Sequence, residues 1–373
     1  MRICLDARTV GQRMHGIARY SKNLLQAIEE VHSPHTFYVI GQDPLHFPFI
    51  RQTNTRLFFI RARVPPYSLL EQVVIPALVA RLMPEVYHCL TYACPVLVPS
   101  RLFFTVHDLL PLVRPKEFKK RVRVYFRSFV RIASSRASRI IVDSHYSAFM
   151  CSHLLGIPFE RISVVPLGGD HLQNLPMSIH TQEEFHGLNL RNNPYFLCVG
   201  NPRLHKRVLY LVRLFSTDPL LRTRDVHLVL VGEQHPEVYA WVARDGPDSR
   251  ILCTGYISDS LLVALYRNTI GLVFPASGEG FGLPVLEAMH FGVPVLASQD
   301  GAQSELIGRA GIMLPPDDEE SWRRAMCELL LDAKKRERFA GLAANEAMNY
   351  SWHSTAIKTL HVYEEAVDLD DKR

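Results

Sequence analysis

The sequence holds no run of about 18 consecutive apolar residues, which excludes a membrane-spanning helix. Its first residues, MRICLDART, enter a strand-like run directly. They lack the apolar stretch and small-residue cleavage site of a secretory signal, so a cytoplasmic protein is expected. Cysteine is sparse: the seven residues Cys4, Cys89, Cys94, Cys151, Cys198, Cys253 and Cys327 include no CxxC pair. That odd, scattered set argues against a disulfide framework or a zinc site, and Cys4, Cys198 and Cys253 read as small buried hydrophobes. The seventeen histidines show no metal-ligand spacing such as HExxH. No GxGxxG follows the first strand, which disfavours a nicotinamide dehydrogenase. No DxD stands in a strand-end loop, since the DLDD near the C-terminus lies in the tail.

What the chain does have is an ordinary globular composition, 47% hydrophobic and 21% charged, over 373 residues, a length suited to two domains. The net charge of +5 is modest but unevenly spread. Between Arg114 and Arg139 ten Lys/Arg accompany a single acid, Glu117, so this segment carries +9 and leaves −4 for the rest. Such a field attracts phosphates or an anionic membrane surface. Apolar residues, among them Val124, Tyr125, Phe126 and Phe129, lie between the cations. Two readings stand for 114–139. One is a helix in peripheral contact with the inner membrane or a lipid-linked diphosphate. The other is a packed amphipathic helix with a basic solvent face. No nucleic-acid reader motif accompanies the charge, so nucleic acid is not an expected partner.

Short apolar runs alternate with longer amphipathic ones. Strands are predicted at 2–6, 35–40, 56–60, 85–89, 102–108, 140–143 and 162–167, with helices over 17–31, 68–82, 116–135 and 145–155. This alternation favours a parallel sheet covered on both faces. The rhythm lapses from Gly168 to Pro194, a polar stretch read as an interdomain connection with a short helix inside. It restarts at YFLCVG (195–200), with strands at 226–232, 250–255, 271–275 and 293–298. Helices are expected near 206–216, 258–267, 282–291, 318–331 and 333–349. Trp352, Ala356, Leu360, Tyr363 and Val367 then fall at helical spacing. That last helix either caps the second domain or returns to the first. The resulting division is 1–170, 171–350 and a C-terminal helix in 351–373, its end frayed.

The richest stretch is PASGEGFGLPVLEAMHFGVPVLAS (275–298). A strand ends, a loop with Gly278, Gly280 and Gly282 follows, and a helix begins with Pro284 in its first turn. Glycines let the backbone approach a ligand closely, and a helix N-terminus offers unpaired N–H groups and a positive dipole end. Together they suit a diphosphate. Glu279 in the loop and Glu287 on the helix are acceptors for vicinal sugar hydroxyls, one for a donor sugar and one for a ribose. The bland alternative is an ordinary strand–turn–helix with two solvated acids.

The string EGFGLPVLE closely resembles the E-x7-E motif of family 4 retaining glycosyltransferases, which have the GT-B fold. HGIARY (15–20), VHDLLPL (106–112), VDSHYSAFM (142–150), RISVVPLGGD (161–170), GNPRLHKR (200–207), YISDSLLVALYRN (256–268) and YSWHSTA (350–356) are similar to successive segments of that family. The resemblance implies two Rossmann-like domains with parallel sheets facing a central cleft. The first would be the acceptor side and the second the nucleotide-sugar side. It implies that Glu279 contacts donor-sugar hydroxyls. The backbone N–H groups of Phe281, Gly282 and Leu283 would meet sugar and diphosphate, and Glu287 the ribose. Lys206 would neutralise the diphosphate as charge develops on it. Many relatives carry an Arg five residues before that lysine. Asn201 stands there instead, and Arg203 is the substitute candidate. His107 would reach the donor sugar, with Asp108 orienting the imidazole or the loop, and Gly16 would let the first loop approach the phosphates. The bland counterparts are surface cations at Arg203 and Lys206, a locally satisfied His107, and a plain turn at Gly16.

No metal or other cofactor is expected, because the helix dipole and Lys206 can neutralise the diphosphate. Same-face attack, with the departing phosphate oxygen accepting the acceptor's proton, would retain the anomeric configuration. GIARY, HDLLP and GNPRLHK resemble most the mannosyl- or rhamnosyltransferases of bacterial surface polysaccharide assembly, which favours GDP-mannose as donor. The acceptor would be a saccharide or a polyprenyl-diphosphate-linked sugar. A nucleotide-sugar epimerase or hydrolase, and a non-catalytic nucleotide-sugar-binding subunit, are the competing readings.

Overall fold

The computed structural model describes residues 1–11, 16–51, 56–176, 178–190, 193–233, 236–245 and 250–371, without the side chains of 51, 121, 242, 244, 245 and 369–371. His15 of the HGIARY segment, the side chain of Arg121 and the last two residues of the tail thus lie outside the described residues. The chain forms two compact units, one made of 1–168 with 351–373 and the other of 169–350.

The first unit holds seven parallel strands: β1 (Arg2–Asp6), β2 (Thr36–Gly41), β3 (Leu57–Arg61), β4 (Val86–Cys89), β5 (Arg101–Val106), β6 (Arg139–Val142) and β7 (Ile162–Val164). Their order is β3-β2-β1-β4-β5-β6-β7. β4 is buried along its whole length, which requires cover on both faces of the sheet. The run predicted to 167 stops as a strand at Val164, just before Pro166, which has no N–H for the ladder. Residues 116–135 do not form one continuous α-helix. A π-helical turn at Phe126–Val130 separates α-helical Lys120–Tyr125 from Arg131–Arg136, and Phe126 and Val130 point into the core. The C-terminal helix Trp352–Asp371 packs on the helix Gly16–Glu30 of this unit. Its fully buried Tyr363 hydrogen-bonds His88 Nδ1 and meets Phe103 edge-on at 5.2 Å.

The second unit holds β8 (Tyr195–Val199), β9 (His227–Val231), β10 (Ile251–Gly255), β11 (Gly271–Phe274), β12 (Val295–Ser298) and β13 (Ile312–Leu314) in the order β10-β9-β8-β11-β12-β13. β11 and β12 are buried throughout, and Phe196, Leu228, Leu230, Val273, Leu296 and Trp322 build the core. β13 and the helices Pro236–Asp245 and Gln303–Ile307 were not predicted. β13 and Gln303–Ile307 span three and five residues, too few for periodicity to register. The polar stretch read as a connection belongs to this unit from Gly169 on and includes the helix Ile179–Gly187. In each sheet the strand order reverses at one point, between β1 and β4 and between β8 and β11. Doubly wound sheets bind ligands beyond the carboxyl ends of the strands at such points.

Candidate active site

Two loops leave the reversal point of the second sheet. In the loop after β8, Asn201 Oδ1 accepts the N–H of Arg203 at 3.3 Å, so Asn201 serves its own turn, while Arg203 is exposed. A single 3₁₀ turn, Leu204–Lys206, follows and ends at Arg207 with φ 54°. This compact turn drives His205 inward, 2% exposed, and lays Lys206 Nζ 5.2 Å over the Phe274 ring. In the loop after β11, Glu279 Oε1 meets Lys206 Nζ at 2.8 Å and His205 Nε2 at 3.1 Å. Burial would push the Glu279 carboxyl up, but Lys206 and His205 overcome it and hold the group at about 2. Glu279 is therefore an ionised carboxylate with fixed orientation, not a solvated acid.

Gly282 follows as the N-cap of the helix Leu283–His290, with φ 98°, a conformation that favours glycine. Gly282 has no side chain to cap this helix, so the N-cap residue itself supplies no acceptor to the first backbone N–H groups. Such a start attracts an anion. One turn on, buried Glu287 accepts Tyr266 O–H at 3.0 Å on Oε2 and lies 3.2 Å from His171 Nε2 through Oε1. A carboxylate is an acceptor for vicinal hydroxyls. The second unit thus brings Glu279, Lys206, the Phe281–Leu283 backbone and Glu287 onto two neighbouring loops and one helix.

His107 and Gly16 belong to the first unit. His107 follows β5; its Nδ1 is 2.7 Å from Asp143 Oδ2 and its Nε2 3.2 Å from the Leu90 carbonyl oxygen. Burial would lower its pKa, but the Asp143 carboxylate outweighs that and raises it. The imidazole's partner is therefore Asp143. Asp108 instead accepts the Leu110 N–H at 3.0 Å and shapes the loop. Tyr20 packs edge-on against His107 at 4.4 Å. Gly16 opens the helix Gly16–Glu30, and a Cβ there would meet no atom within 4 Å.

His205, His171, Tyr266 and Asp143 carry no role in the expectations from sequence. His205 had a signal, its place beside Lys206 in one short turn. Asp143 ends β6 and Tyr266 sits on a predicted helix, but only tertiary packing turns them toward their partners. His171 lay in the stretch whose rhythm had lapsed. Among the described residues, no cluster of three or more His, Cys, Asp or Glu could hold a metal ion, and no helix is long and apolar enough to cross a membrane.

Comparison with known proteins decides the family. Residues 14–171 match the model described as Glycosyltransferase Family 4, and residues 193–332 match that of Glycosyl transferases group 1. The chain belongs to glycosyltransferase family 4. This glycosyltransferase is similar to the O-antigen chain mannosyltransferase B of Escherichia coli, 27% identical over 270 residues that cover 71% of this chain and 70% of that one. It shares its fold with sucrose-phosphate synthase from Thermosynechococcus elongatus, at a TM-score of 0.78 and 18% identity over 99% of both chains. Anabaena Alr3699/HepE in complex with UDP and glucose gives a TM-score of 0.76 at 19% identity, over 98% of this chain and 100% of that one. The two α/β units make it a GT-B glycosyltransferase.

Proposed function

We propose that this glycosyltransferase is a retaining, metal-independent hexosyltransferase. It moves mannose from GDP-mannose to a saccharide or lipid-linked acceptor in bacterial surface polysaccharide assembly. The carrying observation is the Glu279 carboxylate, held ionised by Lys206 and His205 next to an uncapped helix start. The helix N–H groups and Lys206 receive the diphosphate, so its developing charge is neutralised by the chain's own groups. Glu279 holds donor-sugar hydroxyls and Glu287 the ribose. His107 contributes to turnover from the first unit. The donor sugar leaves through an oxocarbenium-like state, and the departing phosphate oxygen accepts the acceptor's proton on the same face. The mannose assignment is supported by the name of the E. coli relative.

A thermal-shift screen of GDP-, UDP- and dTDP-sugars tests the donor. GDP-mannose at a hundred times its Kd stabilises the fold by about 2.7 kcal/mol, and the other nucleotides give less. Transfer continues in EDTA, and the product keeps the donor's anomeric configuration. An inverted product anomer rejects the mechanism. Glu287→Ala removes the carboxylate that meets Tyr266 and His171, and with it the ribose contact. Nucleotide binding, read by calorimetry, weakens by about tenfold or more. Unchanged affinity in that variant removes Glu287 from the site.

The membrane contact is assigned to the basic segment. Lys120, Arg123, Arg127 and Arg131 line a groove of about 620 Å³ together with Leu112, Leu154 and Leu155. Each cation near an anionic bilayer contributes about 1 kcal/mol. The combined Lys120→Ser, Arg127→Ser, Arg131→Ser variant then binds phosphatidylglycerol vesicles about a hundredfold more weakly in co-sedimentation. High salt has the same effect on the wild type. Equal sedimentation of variant and wild type removes this partner.

A further inference from the structure

The loop that carries Glu279 is held by backbone bonds at several points. Ser277 N–H donates to the His205 carbonyl at 2.9 Å, Gly278 N–H to the Asp300 carbonyl at 3.0 Å, and Ala302 N–H to the Glu279 carbonyl at 2.9 Å. One fully buried side chain ties these strands of the loop together. Gln303 Nε2 lies 3.0 Å from the Ala276 carbonyl oxygen, 2.9 Å from that of Ser298 and 2.8 Å from that of Asp300. Three acceptors around one amide nitrogen fix which end of the amide is NH₂, and its two protons are shared among them. The stem of the same residue faces the helix start, since a Cβ on Gly282 would stand 3.3 Å from Gln303 Cβ. Space beside it is closed too: a Cβ on Gly301, at φ 125°, would lie 2.6 Å from Gln303 Oε1 and 2.9 Å from Glu279 N.

We propose that Gln303 is a positioning residue for sugar transfer: its buried amide sets the loop geometry in which Glu279 and the Phe281–Leu283 backbone meet the donor. This rests on the reading of that loop as the donor site. Gln303 touches no substrate in this assignment. It joins the carbonyls at the start of the loop (Ala276) and behind it (Ser298, Asp300) to the glycine at its end (Gly282). Transition-state stabilisation by preorganised donors falls steeply when they are displaced by about an ångström.

The test uses the full chain with donor and acceptor. Gln303→Met keeps the length of the side chain and removes the donor, leaving three carbonyls without it. Turnover per folded protein, counted by circular dichroism and the melting transition, falls about a hundredfold. Nucleoside diphosphate affinity falls less than turnover, because Glu287 on the helix still holds the ribose. Gln303→Glu supplies the distinguishing signature. Deprotonated, it has no donor and repels the carbonyls. Protonated, it offers one O–H, and burial favours that form. Its activity relative to wild type therefore rises from pH 8 to pH 6, while that of the Met variant stays flat. If the Met variant does not fold, the rise in the Glu variant carries the test. Turnover of the Met variant within twofold of wild type overturns the inference, as does a Glu variant with no rise. A wild-type chain that binds no nucleotide sugar sinks the donor-site reading itself, and the inference with it.

Discussion

Glu279→Gln lowers turnover by about 10²–10³-fold at neutral pH, with a smaller change in nucleotide affinity. The amide is nearly isosteric but carries no charge, so it holds Lys206 Nζ and His205 Nε2, now 2.8 and 3.1 Å from Oε1, less firmly. Lys206 then loses the partner that holds it over Phe274. The same substitution has a stability signature. The Glu279 carboxyl sits at about 2, below its ordinary value of 4.5. A depressed carboxylate stabilises the fold above its unfolded pKa, and that contribution disappears as pH falls through the folded value. A shift of this size corresponds to about 3 kcal/mol, fully present above about pH 5 and lost progressively toward pH 2. Urea unfolding at pH 7 and pH 3 measures it. The wild type loses more than half of this increment between the two conditions and Glu279→Gln loses none of it. Equal turnover of the variant, or equal acid sensitivity of the two proteins, would remove Glu279 from the centre of the site.

Much of the fold was legible because its strands are short β-branched and apolar runs separated by amphipathic segments. His227–Val231 and Tyr195–Val199 announce themselves that way. The glycine loop and helix start were legible for a different reason: Gly282 and Pro284 carry the local backbone requirements of that turn. What stayed hidden depends on distance in sequence. Gln303 reaches Ala276 across 27 residues, and His107 reaches Asp143 across 36. No periodicity encodes such pairings: of the two roles expected for Asp108, orienting the imidazole or the loop, it takes the second by accepting the Leu110 N–H, while Asp143 meets the imidazole. The fate of the C-terminal helix was open for the same reason. Its spacing shows an apolar face, while Tyr363 against His88 and Phe103 identifies the surface that covers it. The stretch after Gly168 looked like a connection because it is polar, yet His171 within it holds the buried Glu287.

Asp143→Asn produces the second large effect, read in a pH profile. Asp143 is 2% exposed, and its Oδ1 is buried with no hydrogen-bond partner among the described residues. A carboxylate so placed favours charge on the ring beside it, and His107 with a proton on each nitrogen donates to both Asp143 and the Leu90 carbonyl. Asp108 also raises the ring's pKa, the Tyr20 ring edge faces it, and buried His88 feels its charge. The sign follows. A histidine whose pKa is raised on folding lends stability below its unfolded value, near 6.5, and that contribution fades as pH rises through the folded value. If the imidazolium serves transfer, wild-type kcat falls along the same alkaline limb. Asparagine keeps the shape and a hydrogen-bonding oxygen but removes the charge, so the limb moves to lower pH and kcat at pH 7.5 drops about 10–100-fold. His107→Ala loses the limb altogether. Ring titration by NMR gives a check independent of activity: the His107 pKa falls in Asp143→Asn. A limb that stays in place while the ring titration moves would mean that His107 serves the fold of the first unit and not the transfer step.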